Sequence, residues 1–329
     1  MLRRTCWIAL LAACVGLAGC SARPPAARGP ELVFGRAGEH DGQLHLPRDV
    51  GLSPDDRRLY VLDRTHRVQV FDSAGTWLDT WPTPLGTTGN PRGLDVAPNG
   101  DVYVADTHNS QVLVFSPEGK LRRKWGRPGT EPGRFISVTD VALDSKGNVW
   151  ACEYGNWNDR VQKFDARGKL VVTSGKFGSA PGEFSRPQGL AVDRNDRLYV
   201  ADAVNHRIQI LNPEGTLHAT WGSVGSKPGQ LRYPYDVAFD RAGRLYVAEF
   251  GNSRVSVFSP EGKFLTHVGR AGHRPGEFDH PWGVNVDSSG RVYVSDTMNY
   301  RIQRFAPLFG DRMAGANVQT ELAPQAYRH

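Results

Sequence analysis

The stretch LYVADAVNHRIQIL, residues 198–211, is the clearest copy of a unit that recurs along this chain of 329 residues. Similar letters return at residues 245–258 and 292–305, and weaker copies begin at residues 59, 102 and 149. One aromatic residue marks each copy: Tyr60, Tyr103, Trp150, Tyr199, Tyr246 and Tyr293. The intervals between these aromatics are 43, 47, 49, 47 and 47 residues. A nearly constant period in this range indicates a solenoid, a propeller or an array.

Each copy has the composition of four short β-strands joined by turns. In the fourth copy the strand segments are Gly189–Asp193, Leu198–Ala201, Arg207–Leu211 and Thr216–Trp221. Gly, Pro, Asn and Asp bound these segments, and Pro213 takes the second position of a turn, where its fixed φ is favourable. Four strands at this period are typical of a propeller blade rather than of a helical repeat.

A glycine-rich linker, residues 222–231, precedes the fifth copy and has counterparts at residues 126–135, 175–184 and 269–278. Together with the segment Asp-x-x-Asn-x-Arg-Ile-Gln, this linker resembles the NHL repeat, and the resemblance extends from Leu32 to Phe305. The resemblance implies an all-β fold, a six-bladed β-propeller. The first copy departs from the pattern, because its linker at residues 81–91 is degenerate.

The two ends of the repeat region complement each other. Glu31–Gly35 matches the last strand of a unit, whereas the sixth copy stops after its third strand at Phe305. The N-terminal strand is therefore predicted to complete the last blade. Such closure removes the exposed sheet edges that invite aggregation.

The first residues predict export and anchoring. Arg3 and Arg4 precede an apolar run, Trp7–Leu17, which is too short to span a bilayer but is typical of a signal peptide. The ending Leu-Ala-Gly-Cys resembles the lipobox of bacterial lipoproteins, which implies that Cys20 is the first mature residue and carries the lipid. Because Ser21 and not Asp follows, the expected location is the bacterial outer membrane, facing the periplasm or the surface.

These features divide the chain into four parts: a signal peptide (1–19), a lipidated tether (20–30), a six-bladed propeller (31–305) and an irregular C-terminal tail (306–329). Loss of the signal peptide lowers the formal charge from +6 to +4, since two arginines leave with it. Acidic and basic residues are interspersed, so no nucleic-acid partner is expected. Cys152 has no partner cysteine in the mature chain, so no internal disulfide is expected either.

The inner strands begin with a Pro-x-Gly or Pro-x-Asp pattern or a variant of it, and the middle residues differ from copy to copy: Arg48, Arg92, Thr139, Gln188, Tyr235 and Trp282. A purely structural position would tend to repeat, so unlike side chains at one equivalent position predict an asymmetric binding site at the propeller mouth. The alternative is simple loop filling. The third loop, residues 153–160, is two residues longer than its counterparts and adds Tyr154 and Trp157 to this face.

Three carboxylates, Asp49, Asp140 and Asp236, begin the inner strands of alternate copies. Placed around one axis, they would suit calcium or another divalent cation in the channel mouth, because hard cations take oxygen ligands. The alternative is that each carboxylate accepts backbone N–H groups at its strand start.

Two functional hypotheses follow from these residues. The first is a lipid-anchored binding or scaffold protein of the envelope that recognises a protein, a peptide or a glycan at its mouth. The second is a metal-dependent lyase or hydrolase, because Thr139–Ala142 is similar to a segment of the peptidyl-hydroxyglycine amidating lyases, which are also NHL propellers. The sequence departs from the lyase pattern at Pro187-Gln188, where that family has Pro-His.

Overall fold

The computed structural model describes residues 29–84 and 90–310. In this part of the chain, 24 β-strands form six four-stranded antiparallel sheets arranged in a ring, with short 3-10 turns at Thr107–Asn109 and Thr297–Asn299. The predicted all-β, six-bladed propeller is confirmed. The predicted signal peptide and Cys20, with all of the tether except its last two residues, lie outside the described residues, as does most of the C-terminal tail.

The strands are grouped into blades in chain order, with the innermost strand first. Blade one contains β2 (Asp49–Leu52), β3 (Arg58–Asp63), β4 (Arg67–Asp72) and β5 (Trp77–Pro82). Blade two contains β6 (Pro91–Val96), β7 (Val102–Asp106), β8 (Gln111–Phe115) and β9 (Leu121–Trp125). Blade three contains β10 (Ser137–Leu143), β11 (Val149–Tyr154), β12 (Arg160–Phe164) and β13 (Leu170–Ser174).

Blade four contains β14 (Pro187–Val192), β15 (Leu198–Asp202), β16 (Arg207–Leu211) and β17 (Leu217–Trp221). Blade five contains β18 (Pro234–Phe239), β19 (Leu245–Glu249), β20 (Arg254–Phe258) and β21 (Phe264–Val268). Blade six contains β22 (Val284–Val286), β23 (Val292–Asp296), β24 (Arg301–Phe305) and, as its outer strand, β1 (Leu32–Phe34).

The ring closes through the N-terminal strand, as the sequence predicts. β1 pairs antiparallel with β24, so that Phe34 lies opposite Ile302, and the Glu31 amide donates to the Arg304 carbonyl at 2.8 Å. The Phe34 ring also packs at 5.0 Å from the ring of Phe71 in blade one. The first strand therefore joins the last blade to the first.

The repeated Asp-x-x-Asn-x-Arg segment has a structural role in the loop between the second and third strands. In blade four, Arg207 pairs with the buried Asp202 at 2.7 Å, and Asn205 donates to the same carboxylate at 2.9 Å. Asn205 also donates to the Gly178 carbonyl in the preceding linker at 2.9 Å. The motif thus ties each loop to the linker that enters its blade, which explains why it recurs. Blades five and six repeat the ion pair as Glu249–Arg254 and Asp296–Arg301.

Glycine and aspartate alternate at the starts of the inner strands, and this alternation brings neighbouring blades into contact. A Cβ atom on Gly93 of blade two would lie 2.7 Å from the Cα atom of Asp140 in blade three. Gly189 and Gly283 approach the aspartates of the next blades in the same way, Asp236 at 2.6 Å and Asp49 at 2.8 Å. Real Cβ contacts are not this short, so only glycine allows the inner strands to come this close.

Each of these aspartates also bonds backbone amides across the next blade boundary. Asp49 accepts the Leu94 amide of blade two at 2.7 Å as well as its own neighbour, Val50. Asp140 accepts the Leu190 amide, and Asp236 accepts the Val284 amide, each at 2.7 Å. The three carboxylates therefore accept backbone N–H groups, which is the alternative to metal binding given in the sequence analysis.

Burial makes ionisation of these carboxylates costly. Desolvation raises the pKa of Asp49 to about 7, against two backbone hydrogen bonds that lower it. Burial also raises the pKa of Asp140 and of Asp236 well above the usual range, and repulsion from Asp49 adds to both shifts. In the folded protein these groups hold protons at a pH where the unfolded chain has released them.

No helix among the described residues is long and apolar enough to cross a membrane.

Removal of the closing strand should destabilise the whole ring. A chain that lacks residues 21–35 loses β1 and leaves the β24 edge unpaired. This should lower the free energy of unfolding by several kcal/mol out of a typical total of about 5–15 kcal/mol. A matched deletion of residues 21–28 keeps Glu31–Phe34 and should have the melting temperature of the full mature chain. Thermal unfolding followed by circular dichroism makes the comparison, and equal melting temperatures would contradict closure by β1.

The buried carboxyl groups of Asp49, Asp140 and Asp236 should make the free energy of unfolding fall as the pH rises. The carboxyl of Asp49 has a pKa near 3.8 when unfolded and about 7 when folded, so the folded state holds the extra proton between these values. The free energy of unfolding should therefore decrease from about pH 4 to about pH 7. Asp49→Asn cannot ionise and should show a smaller decrease in urea titrations, whereas Asp41→Asn, at an exposed site, should follow wild type. Parallel profiles for all three proteins would refute this.

Candidate functional site

Backbone bulges re-aim the inner strands where the predicted mouth residues lie. The register between the first and second strands shifts in four blades, at Pro91/Leu94, Val138/Asp140, Pro187/Leu190 and Pro234/Asp236. A bulge leaves an unpaired residue and turns its side chain away from the ladder. These shifts lie at the middle residues Arg92, Thr139, Gln188 and Tyr235, whereas the strands that follow Arg48 and Trp282 pair without a register shift.

Arginine and aromatic side chains from separate blades meet at this mouth. The Arg48 guanidinium lies 5.2 Å from the centre of the Trp282 ring, and the Arg92 guanidinium lies 5.8 Å from the same ring. Arg92 also donates through Nη1 to the Tyr154 hydroxyl at 2.9 Å. Cation–π contacts of this kind hold the guanidinium planes in place and leave their edges available. Blades one, two, three and six thus contribute to one cluster.

A third arginine joins the cluster, and the sequence reasoning missed it. The Arg186 guanidinium lies 5.0 Å from the centre of the Tyr154 ring, on the side chain that also contacts Arg92. Arg186 precedes Pro187 and has a φ of +56°, an unusual conformation for a residue other than glycine. Its amide is held by Asp159 of the long third loop at 2.6 Å. The loop therefore fixes both Tyr154 and Arg186.

An aromatic wall faces the arginines from blades five and six. Tyr235 packs edge-on against Trp282 with ring centres 4.9 Å apart, and it stacks on Phe250 at 4.4 Å. Phe250 in turn contacts the ring of His280 at 4.5 Å. We call the set formed by Arg48, Arg92, Tyr154, Arg186, Tyr235 and Trp282 the mouth cluster.

The three arginines of the mouth cluster form no ion pair within residues 29–84 and 90–310. Arg48 is only 7% exposed, and its Nη1 donates to the neutral Asn90 side chain at 2.5 Å. Burial lowers the pKa of Arg48 to about 9, and repulsion from Arg92 and Arg64 adds to the shift. A buried cation without an ion-pair partner is costly, so the charge of Arg48 is incompletely compensated within the described residues.

Thr139 and Gln188, the two predicted residues at this position that do not belong to the mouth cluster, are buried in different environments. Thr139 is 1% exposed, and its hydroxyl donates to the Pro187 carbonyl at 2.9 Å, so it serves the contact between blades three and four. Gln188 is 4% exposed, and its Nε2 has no hydrogen-bond partner. Trp157 is the opposite case, because it is 77% exposed and lies outside the mouth cluster against Phe177.

The carboxylates below the mouth do not form a metal centre in the described part of the chain. No group of three or more His, Cys, Asp or Glu side chains there is arranged to hold a metal ion. Asp49, Asp140 and Asp236, with Asp95 and Asn285, line an axial cavity of about 220 Å³. Their oxygens accept backbone amides, so the expectation of a calcium or other divalent cation bound by the three aspartates is not supported.

A larger cavity of about 440 Å³ lies among the hairpins between the first and second strands of blades four to six. Its lining carboxylates, Asp193, Asp240 and Asp287, are each paired with an arginine of the same hairpin. Arg194 and Arg241 also line this cavity and form no ion pair among the described residues, but both are exposed, in contrast to the buried Arg48 of the mouth cluster.

A second signal in the sequence could have identified more of the site. The residue that follows the repeated loop carboxylate also differs among copies: Arg64, Thr107, Tyr154, Ala203, Phe250 and Thr297. Tyr154 belongs to the mouth cluster, Phe250 stacks on Tyr235 of that cluster, and Arg64 repels Arg48 electrostatically. Unlike residues at this second equivalent position therefore also mark the mouth of the propeller.

Comparisons with known proteins agree with the repeat and with the fold. The NHL repeat matches residues 88–115, 184–211, 231–258 and 278–305. Over 102 residues the chain is 31% identical to NHL repeat-containing protein 3 of Homo sapiens, covering 28% of this chain and 29% of that protein. Over 98 residues it is 35% identical to Protein brain tumor of Drosophila melanogaster, covering 29% of this chain and 9% of that one. The matches thus span less than a third of these relatives.

Among solved structures, a streptogramin B lyase superimposes with a TM-score of 0.60 at 14% identity, covering 83% of this chain and 96% of the other. A virginiamycin B lyase from Staphylococcus aureus superimposes with a TM-score of 0.57 at 14% identity, covering 85% and 95%. At such identities the likeness extends to the fold alone. The chain is a six-bladed β-propeller that carries four NHL repeats.

Proposed function

We propose that this protein is a binding scaffold that recognises an anionic group, attached to an apolar or flat moiety, at the mouth cluster. The observation that carries the proposal is the convergence of Arg48, Arg92 and Arg186 beside an aromatic wall, without a carboxylate partner among the described residues. Guanidinium groups bind carboxylate or phosphate by paired, charge-assisted hydrogen bonds. Tyr235 and Trp282 would cover the apolar part of the same ligand.

A protein or peptide partner is the favoured source of this anion, with a decorated glycan as the second source. The NHL repeats support a protein partner, because propellers of this kind commonly serve as interaction scaffolds. Buried aromatic and arginine side chains are also the residue types that dominate the energy of protein interfaces. The mouth cluster has this composition.

The lyase alternative has no comparable observation in its favour. Thr139, which belongs to the segment similar to the amidating lyases, is bonded to the Pro187 carbonyl. Gln188 stands where that family has a histidine, and no described residues are grouped as a metal site. Binding therefore remains the proposal that the geometry supports best.

The proposed setting is the bacterial envelope, with the propeller anchored through an acylated Cys20. The lipobox-like ending Leu17-Ala18-Gly19-Cys20 and the short apolar run before it support this location. In the producing bacterium, Cys20→Ala should block processing and acylation and move the protein out of the membrane fraction. Cys152→Ala, at a buried position where three other blades have alanine, is the matched control. Unchanged mass and fractionation of Cys20→Ala would refute the anchor.

A small probe tests the binding proposal. N-acetylphenylalanine carries a carboxylate beside an aromatic ring, so at about ten times its Kd it should raise the melting temperature by roughly 2–4 °C. The neutral N-acetylphenylalaninamide should raise it much less. Arg92→Ala and Trp282→Ala should each abolish the shift with little change in the melting temperature of the free protein.

The control for this experiment is Arg127→Ala, which removes an exposed arginine from the linker between blades two and three. It should respond to N-acetylphenylalanine as wild type does. Equal shifts with the acid and the amide, or equal shifts in wild type and Arg92→Ala, would contradict recognition of an anion at the mouth cluster.

A further inference from the structure

Three buried side-chain donors at the mouth have no hydrogen-bond partner in the described part of the chain. They are Arg92 Nε, Arg186 Nε and Gln188 Nε2. Buried donors are costly unless an acceptor reaches them. Two of these donors are cationic and the third is a neutral amide, so the complementary ligand presents a carboxylate and a nearby carbonyl oxygen. At the end of a peptide, the terminal carboxylate and the carbonyl of the preceding residue are separated only by an amide nitrogen and one Cα atom.

The channel below the mouth favours the end of a chain over its middle. Beneath the arginines, the inner strands approach so closely at the glycine–aspartate contacts that the axial cavity holds only about 220 Å³. Asp49, Asp140 and Asp236 line this cavity and no Arg, Lys or His of the described residues does, so an anion that moved deeper would lose its cationic partners. A carboxylate therefore stops at the arginines, and the chain that carries it must leave across the rim.

An exposed aromatic pair lies on the rim beside Arg186. Trp157 is 77% exposed and meets Phe177 edge-on, with ring centres 4.6 Å apart, and Phe177 is itself 40% exposed. Large aromatic side chains that remain this exposed are typical of binding surfaces. The loop that carries Trp157 is held by Asp159, which accepts the Gly155 amide at 3.2 Å and the Arg186 amide at 2.6 Å.

The distance between the mouth cluster and the Trp157–Phe177 pair determines which residue of a bound peptide can reach that pair. Tyr154 contacts two arginines of the mouth cluster, and Trp157 follows it by three residues, so their backbones lie at most about 10 Å apart. An extended peptide advances about 3.3 Å per residue, so three residues span that distance.

We propose, building on the proposed function, that the mouth cluster binds the free C-terminal carboxylate of a partner peptide. The peptide crosses the rim between blades three and four, and an apolar side chain three positions before the last residue docks on Trp157 and Phe177.

Fluorescein-labelled hexapeptides test this inference by fluorescence anisotropy. The first probe is Gly-Gly-Trp-Gly-Gly-Phe with a free carboxylate, and the second is its amide. The third replaces the Trp of the first by Gly. The fourth is Gly-Gly-Trp-Gly-Glu-Phe amide, which offers only a side-chain carboxylate. The first probe should bind at least ten times more tightly than any of the others.

Substitutions on the rim provide the second arm. Trp157→Ala should lower the affinity for the first probe about tenfold. It should leave the melting temperature unchanged, because the Trp157 side chain is exposed. Val224→Ala is the matched control, since Val224 has the linker position of Phe177 in the next blade and is 61% exposed. It should bind the first probe as wild type does.

Each outcome has a distinct meaning. Equal affinity for the first and third probes, or no effect of Trp157→Ala, would overturn the rim contact while binding of N-acetylphenylalanine by wild type still upholds the proposed function. Equal affinity for the first and fourth probes would overturn recognition of the terminus. Failure of wild type to bind N-acetylphenylalanine and every peptide would overturn the proposed function itself.

Discussion

The structure depends on the close approach of neighbouring inner strands at alternating glycine and aspartate residues. Gly93, Gly189 and Gly283 leave no room for a Cβ atom against the aspartates of the next blades. Each aspartate then accepts an amide from the following blade, so these hydrogen bonds alternate with the close glycine–aspartate contacts around the ring of six inner strands. Without that ring, residues from distant parts of the chain would not converge on one axis.

The close approach of the inner strands also separates acidic side chains from basic ones along the axis. Carboxyl groups lie in the narrow channel, where burial raises the pKa of Asp140 and Asp236 and favours their neutral forms. Arginines lie above them at the wider mouth, where Arg48 and Arg92 repel each other and are held by the Trp282 ring. The cost of this arrangement is stability, and an arriving anion would recover part of that cost.

The sequence predicts most of the scaffold because each blade repeats the same local physics. The aromatic anchors, the Asp–Arg loop pairs and the missing outer strand of the sixth copy each follow from spacing alone. The site is harder to predict, because it consists of the residues that break the repeat. Arg48, Arg92 and Trp282 were found by their variety at one position, and Phe250 follows the same rule at another.

Arg186, and the burial of the predicted residue Gln188, show why the rest of the site could not be predicted from the sequence. Arg186 reaches Tyr154 only because its backbone takes a positive φ and because Asp159 of the longer third loop holds its amide. Gln188 is buried with an unpartnered amide, which depends on how blades three and four pack. Both are consequences of contacts between blades, and no single repeat encodes them.

Hydrogen–deuterium exchange with and without N-acetylphenylalanine tests the central claim most directly, because the mouth cluster and the cavity among the hairpins of blades four to six lie on opposite faces of the propeller. The account predicts slower exchange in the segments around Arg92, in the loop 153–160 and around Arg186, with no change in the hairpins that contain Asp193, Asp240 and Asp287. Protection confined to those hairpins, which surround the cavity of about 440 Å³, would contradict the assignment of the mouth cluster as the binding site.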